Sequence, residues 1–385
     1  MSTLKVDAIR HNSATSDAIT TASDGTCTAK LTSVGGGQLS HRNLIINGDF
    51  RINQRGSSST ASGRQTVDRF SLDHSGTDEG PTQAQVDVAA GTTPYELGFR
   101  KAFKVTNGNQ TGGAGAGDFI RMLYLIEAQD IANSGWNYKS SSSYITLSFW
   151  VKTSVAQTYY FNFRAYDGTQ KMYCFSVALS ANTWTKVTKT IPGHADLSFD
   201  NDTGTGMYIQ WYQFRGTNNT GTVTLNQWNN YDSSILTPDQ TSTWYTTNDA
   251  TFEITGVQFE VGPVATPFEH RSFGDELRRC QRYYQQLRGA LTGIGANSSS
   301  IRAAYTPIVN FRASPTITGS NPVTFNNPGI NSPTQSSFNC GLQYTYQPTK
   351  IGMLFGFGNF TNANQGYTYL QWDGNSDYIY LDAEL

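Results

Sequence analysis

Charge is the first thing this sequence is short of. Asp, Glu, Lys and Arg make up 15% of its 385 residues and sum to a formal −2, against roughly 25% charged residues in an average soluble protein. No Lys/Arg run is long enough to form a basic stripe, so nucleic acid is not an expected partner. No apolar span reaches the about 20 residues that cross a bilayer, and the opening MSTLKVDAIRHNS has no apolar h-region. Neither membrane insertion nor secretion is expected, and the chain is expected to be made and held in the cytoplasm until something releases it.

Catalytic signatures are missing as well. The four cysteines, Cys27, Cys174, Cys280 and Cys340, stand singly without CxxC spacing, which argues against a zinc site or disulfide framework and for buried thiols. The five histidines are far apart, and no GxSxG, HExxH or GxxxxGK[ST] pattern is present. GGAGAGDF at 112–119 lacks the third dinucleotide glycine and opens onto strand-like DFIRMLYLI, so it reads as a loop. Asp78 and Glu79 sit in SGTDEGPT, a solvated turn. The chain is expected to be no enzyme and to carry no cofactor.

What is plentiful is Gly (37), Tyr (21) and Phe (21), a composition for many short strands joined by tight turns. In YITLSFWVKT, Ile145, Leu147, Phe149 and Val151 share one face. YYFNFRAYD sets Tyr159, Phe161 and Phe163 against Tyr160, Asn162 and Arg164, and YCFSVALS aligns Tyr173, Phe175, Val177 and Leu179. Asp167-Gly168 between these runs is a hairpin signal. In FEITGVQFEVG the apolar parity shifts at Thr255-Gly256, which predicts a β-bulge.

These patterns predict a mainly β chain: an extended segment fit for a socket or an oligomer (1–41), an antiparallel sandwich (42–271), a linking helix (272–289) and a smaller C-terminal β-sandwich domain (290–385). The first segment has few large apolar residues, among them Leu4, Val6, Ile9 and Ile19, and needs a partner surface to fold. Gly35-Gly36-Gly37 reads as its hinge. SFGDELRRCQRYYQQLRG opens with Ser272 and Asp275 at capping-box spacing, and Leu277, Cys280, Tyr284 and Leu287 form one stripe. That stripe suits packing on a domain or at a threefold axis. The closing DYIYLDAEL alternates Ile379, Leu381, Ala383 and Leu385 against Tyr378, Tyr380, Asp382 and Glu384.

The remaining signal is aromatic residues among amides and hydroxyls. A ring face beside amide and carboxylate groups suits a sugar, whose C–H face packs on the ring while its hydroxyls find partners. NQWNNYDSS at 226–234 is the prime candidate, with Trp228, Asn229, Asn230 and Tyr231, followed by Trp244 and Tyr245. The ordinary alternative for each ring is a core or subunit-interface position.

NLIINGDFRINQRG (43–56), QTVDRF, and FEITGVQFEVGPVATPFEHRSFGDELRRCQRYYQ together resemble the tail fibres and related virion proteins of tailed bacteriophages. In that family an N-L-x-x-N-G-x-F pattern opens a jelly-roll domain like a carbohydrate-binding module. A Q-x-E-x-G…T-x-F-E-x-R pattern closes it, and E-L-x-x-C-Q-R-Y-Y leads to a C-terminal β domain. The resemblance implies a short homotrimeric fibre, fixed to a tail or adaptor protein through residues 1–41 and recognising a glycan of the host cell surface. The alternatives are a decoration protein of capsid or tail that binds no receptor and, behind it, a polysaccharide depolymerase, which needs a carboxylate pair about 5 to 10 Å apart. Some similar sandwiches hold a structural calcium near their first and last strands, where Asp49 and Glu260 fall; with no dense acidic cluster, the metal question stays open.

Overall fold

The computed structural model describes residues 41–287 and 290–319, parts of 6–29, and 324–326, 337, 339–342, 352–360, 367–371 and 378–385. Leu4, the Gly35-Gly36-Gly37 hinge and Gly289 lie outside the described residues. The chain is mainly β. A small antiparallel sheet comes first, from β1 (Ala8–Ile9), β2 (Ile19–Thr21) and β3 (Cys27–Ala29). In it Val6 and Ile9 are exposed and Ile19 is half-buried.

Twelve strands then build the jelly-roll sandwich: β4 (Ser58–Ser59), β5 (Phe70–Ser75), β6 (Thr82–Asp87), β7 (Lys101–Thr106), β8 (Phe119–Glu127), β9 (Tyr144–Thr153), β10 (Gln157–Ala165), β11 (Lys171–Leu179), β12 (Thr185–Pro192), β13 (Thr205–Arg215), β14 (Trp228–Asn230) and β15 (Thr251–Val261). The first sheet runs β14-β11-β10-β13-β8-β5 and the second β12-β9-β15-β7-β6-β4, with all ladders antiparallel. Between them lies one core that takes Phe161, Ile209 and Trp211 from the first sheet and Phe149, Val151 and Phe252 from the second. Alternation produces this directly: Ile145, Leu147, Phe149 and Val151 are all 0% exposed. The β10–β11 hairpin turns through Gly168 at φ 60°, and the β15–β9 register shifts between Thr255 and Gln258, where Gly256 has φ 64°. Both features stand where the sequence predicts them.

The sandwich is locked by its opening and closing segments. Buried Asn43 accepts from Ile45 N and Phe259 N, at 3.0 Å each, and donates to Val257 O at 3.2 Å. Asn47, at φ 63°, donates to Ile52 O and Asp68 O and accepts from Ile52 N. Glu260 accepts from Gln258, Thr266 N and Thr266 Oγ1, while Arg271 reaches Ile45 O, Asn43 O, Glu269 and Glu276. Buried polar groups paired across the two segments in this way fix one arrangement of the strands.

The linking helix is shorter than its sequence stripe suggests, spanning Phe273–Gln281 with Ser272 accepting from Asp275 N at 3.1 Å. Tyr284 and Leu287 do not continue it; they belong to β16 (Tyr284–Leu287). Their backbone groups pair with Ile379–Asp382 in a ladder instead of in another helical turn, which also gives that terminal strand a partner. Cys280 and Leu277 pack with Tyr283 on Ile46 and Ile52, so the helix spends its stripe on the sandwich.

The C-terminal domain comprises β16, β17 (Ala290–Asn297), β18 (Ser300–Tyr305), β19 (Thr316–Gly319), β20 (Thr324–Asn326), β21 (Cys340–Leu342), β22 (Met353–Phe357), β23 (Tyr367–Gln371) and β24 (Ile379–Asp382). They form sheets of order β16-β24-β19 and β20-β23-β17-β18-β22-β21. Ile379, Leu381 and Ala383 enter its core with Ile301, Phe355 and Phe357. The alternate residues face the sandwich: Glu384 meets Arg55, Arg64 and Arg69. Arg69 also lies 3.4 Å over the Tyr283 ring and Arg55 3.7 Å over Tyr284.

Candidate functional site

The core claims most of the rings that the sequence nominates for sugar binding. Trp244 and Tyr245 are 0% and 1% exposed, with the indole donating to Thr251 O and the phenol to Asp118. Trp228 is 9% exposed, packs against Tyr173 and donates to Pro192 O at 2.7 Å. None of the three offers a ring face to a ligand. Their polar neighbours mislead because each ring turns inward while the adjoining Asn and Thr residues turn outward. Asn229 donates to Thr224 O and Gln227 O, and Asn230 accepts from Lys171. Of the nominated rings, Tyr231 is half-buried at the surface.

Tyr231 has company that the sequence does not assemble. On the outer face of the first sheet, the register aligns Asp73, Arg121, Tyr212, Tyr160 and Ser176 in one row across β5, β8, β13, β10 and β11. Two residues along, the row is Ser71, Leu123, Gln210, Asn162 and Cys174; beyond it stand Leu125, Tyr208, Arg164, Met172 and Asn229. The loop after β14 crosses this face: Tyr231 N donates to Gln170 O, and Asn162 donates to Leu236 O at 2.9 Å. Leu236 and Thr237 are buried, so one part of the face is covered and the part around Tyr208 and Arg164 is left accessible.

In the accessible part, Arg164 lies 3.6 Å from the Tyr231 ring centroid, 4.9 Å from Tyr166 and 5.3 Å from Tyr208. Its guanidinium donates to the Gln170 amide oxygen. Arg121 pairs with Asp73 at 3.1 Å and donates to Gln210 at 2.7 Å; the Tyr212 hydroxyl donates to the same Gln210 oxygen. Arg215 sits 4.8 Å over Phe119 and 5.8 Å over Tyr212. Partial burial, then the neighbouring Tyr166 hydroxyl, raises the Tyr208 phenol above its ordinary pKa, so it remains an O–H donor near neutrality. The chemistry available is flat rings, amides and fixed cations. The one carboxylate in these rows, Asp73, is tied to Arg121.

A second aromatic cleft, of about 440 Å3, lies outside the second sheet, lined by Phe99, Trp150, Lys186, Phe268 and His270. There Phe99, Phe268 and His270 pack on one another at 4.9 to 5.3 Å, which uses up ring faces. Asp49 pairs with Arg51 at 2.7 Å and Glu260 is satisfied by Thr266. Among the described residues no three His, Cys, Asp or Glu side chains group as metal ligands.

No protein-family model and no curated protein matches the chain. Among solved structures, it is similar to the family 11 carbohydrate-binding module of a Clostridium thermocellum cellulosomal cellulase, with 12% identity over 56% of this chain and 98% of that one (TM-score 0.25). It is also similar to a family 4 carbohydrate-binding module, with 13% identity over 56% and 99% (TM-score 0.28). A cyclase from Fischerella sp. TAU gives 10% over 57% and 84% (TM-score 0.26). Likeness at this level reaches binding modules and a cyclase alike, so function has to be read from this chain's own side chains.

Proposed function

We propose that the chain is a non-catalytic carbohydrate-binding protein and that the Tyr166, Tyr208 and Tyr231 surface of the first sheet is its sugar site. The observation that carries this reading is three accessible tyrosine rings gathered on one rigid face beside Gln170, Asp73 and two arginines. Rings supply the flat apolar contact, and the amides and charged groups supply hydrogen bonds to hydroxyls. Titrating the full chain with oligosaccharides selected on a glycan array tests it. Tyr208→Ala and Tyr231→Ala should each weaken binding about tenfold, or about 1.4 kcal/mol, with unchanged melting temperature. Trp150→Ala, in the other cleft, should leave affinity intact; a loss confined to Trp150→Ala would move the site to the second sheet.

The setting proposed for this binding is a bacteriophage virion, with the chain as a short homotrimeric tail fibre held by residues 1–41. Support comes from the resemblance of residues 43–56 and 254–284 to such proteins, and from a leader whose Val6 and Ile9 stand 40% and 54% exposed. Exposed apolar side chains on so small a sheet suit burial against a partner. Several copies on one particle would turn weak sugar contacts into firm attachment through effective concentration. Deleting residues 1–41 should abolish incorporation into particles while the remainder keeps its melting temperature. Truncated protein recovered on purified particles would rule the anchoring role out.

A further inference from the structure

We infer that the saccharide taken by this face is acidic, carrying a carboxylate or an ester oxyanion that Arg164 and Arg215 receive. This rests on the carbohydrate reading above and adds the charge of the ligand to it. The argument begins with how this chain treats its other arginines. Arg55, Arg64 and Arg69 all reach Glu384, Arg271 reaches Glu276, and Arg282 reaches Glu127. Each of these structural arginines is given a carboxylate, whereas Arg312 and Arg100 are held by backbone carbonyls.

The outer face of the first sheet departs from that practice. Arg121 has Asp73, but Arg164 is met by a neutral amide, Gln170, and tyrosine rings. Arg215 is 9% exposed, has rings on its sides, and its Nε has no hydrogen-bond partner. Among the described residues neither Arg164 nor Arg215 makes a salt bridge. On the strands of this face three cations, Arg121, Arg164 and Arg215, stand against one carboxylate, Asp73, with Asp232 and Asp239 on the loop that crosses it. Removing a cation from water without a counter-charge is costly, and Arg215 bears that cost. Burial, with the charge of Arg121 adding to it, lowers the Arg215 pKa.

Geometry says what would relieve it. Arg164 gives its Nε and Nη2 to the Gln170 oxygen, and because the rings lie on its faces, its outer in-plane edge with Nη1 is left for an oxyanion, which a guanidinium can bind in a two-pronged manner. The surrounding Tyr208, Tyr166 and Tyr231 rings suit a pyranose rather than a bare ion. A uronic acid, a sialic acid, or a sugar sulfate or phosphate each combines the two.

The test uses the full chain on an array holding neutral, uronate, sialate, sulfated and phosphorylated oligosaccharides, followed by calorimetry with a bound member and its neutral counterpart, carboxyl-reduced or desulfated. The expected result is that bound members are acidic. Neutralising the ligand should lower affinity at least tenfold, and Arg164→Gln should lower it for the acidic ligand by the same order with unchanged melting temperature. Arg164→Lys should retain part of the affinity, because a charge remains without the fork. Arg215→Gln should act in the same direction, and Arg164→Gln keeps the test decisive if that variant folds poorly. Which acidic class is bound separates carboxylate from ester recognition. Binding confined to neutral members, or affinity that survives both ligand neutralisation and Arg164→Gln, would overturn the inference while leaving carbohydrate binding in place. Binding of no saccharide at all would overturn both.

Discussion

Replacing Glu384 with alanine should destabilise the chain by about 3 to 5 kcal/mol, the range seen when one partner of a buried ion pair is removed. The Glu384 side chain is 5% exposed, and the three arginines around it, Arg69, Arg55 and Arg64, are 1%, 7% and 16% exposed. Alanine would leave those cations facing one another, with Asp382 and Asp68 beside Arg55 as the remaining carboxylates. Arg64 and Arg69 already have guanidinium nitrogens without partners, so they have little to fall back on. Equilibrium denaturation should show a lower midpoint; a loss below about 1 kcal/mol would mean that water reaches the arginines and the pair is worth no more than a surface one.

The pH dependence of this contact has a definite sign. Burial raises the Glu384 carboxyl, but Arg69, Arg64 and Arg55 outweigh it and hold the pKa below the usual 4.5. A depressed folded-state pKa gives stability that is present above the unfolded value and lost as pH falls through the folded one. The gap between wild type and Glu384→Ala should therefore be full at pH 7 and close progressively below pH 4.5. Asp68 works the other way, because burial, only partly opposed by Arg55, pushes it up to about 6. Its contribution is full below the unfolded value of 3.8 and is lost as pH rises through about 6.

Much of this architecture is legible in the sequence, and the exceptions have physical causes. Period-two alternation marks β9, β10, β11 and β24 because each strand has one face in a core. The bulge in β15 shows as a parity shift, and the Ser272 cap shows as a spacing. The end of the linking helix does not show, since Tyr284–Leu287 is claimed by a strand at Ile379–Asp382, far away in sequence. Nor do polar neighbours reveal that Trp228, Trp244 and Tyr245 are buried, because a single inward carbonyl satisfies each indole and no run of apolar residues is needed. The Tyr208 face is half legible. TGMYIQWYQFR places Tyr208, Gln210 and Tyr212 together opposite Ile209 and Trp211, and Arg164 shares a face with Tyr160 and Asn162. That these two faces are one surface, with Tyr231 folded over it, depends on pairings between β10 and β13 that no local pattern encodes.

Gly48→Ala should cost about 3 kcal/mol or more, at or above the upper end of the 1 to 3 kcal/mol common for overpacked sites. A Cβ at Gly48 would lie 2.1 Å from Val257 O and 3.1 Å from Val257 C, and that obstacle is backbone. It cannot retreat easily, because Val257 N donates to Gly48 O at 2.8 Å and the Val257 side chain is 0% exposed in the core. Gly274→Ala is the matching control: nothing lies within 4 Å of its Cβ position, it is helical, and alanine there should be neutral or stabilising by up to about 1 kcal/mol. A Gly48→Ala midpoint equal to wild type would mean that the opening and closing segments are not held this close. The expected loss bears on function as well. Asn43, Asn47, Gly48, Gln258, Glu260, Arg271, Glu276, Cys280 and Tyr283, the residues that make those segments recognisable, are engaged with one another and with the core. Tyr208 and Arg164 belong to neither segment, so these contacts specify the scaffold and not the proposed binding face.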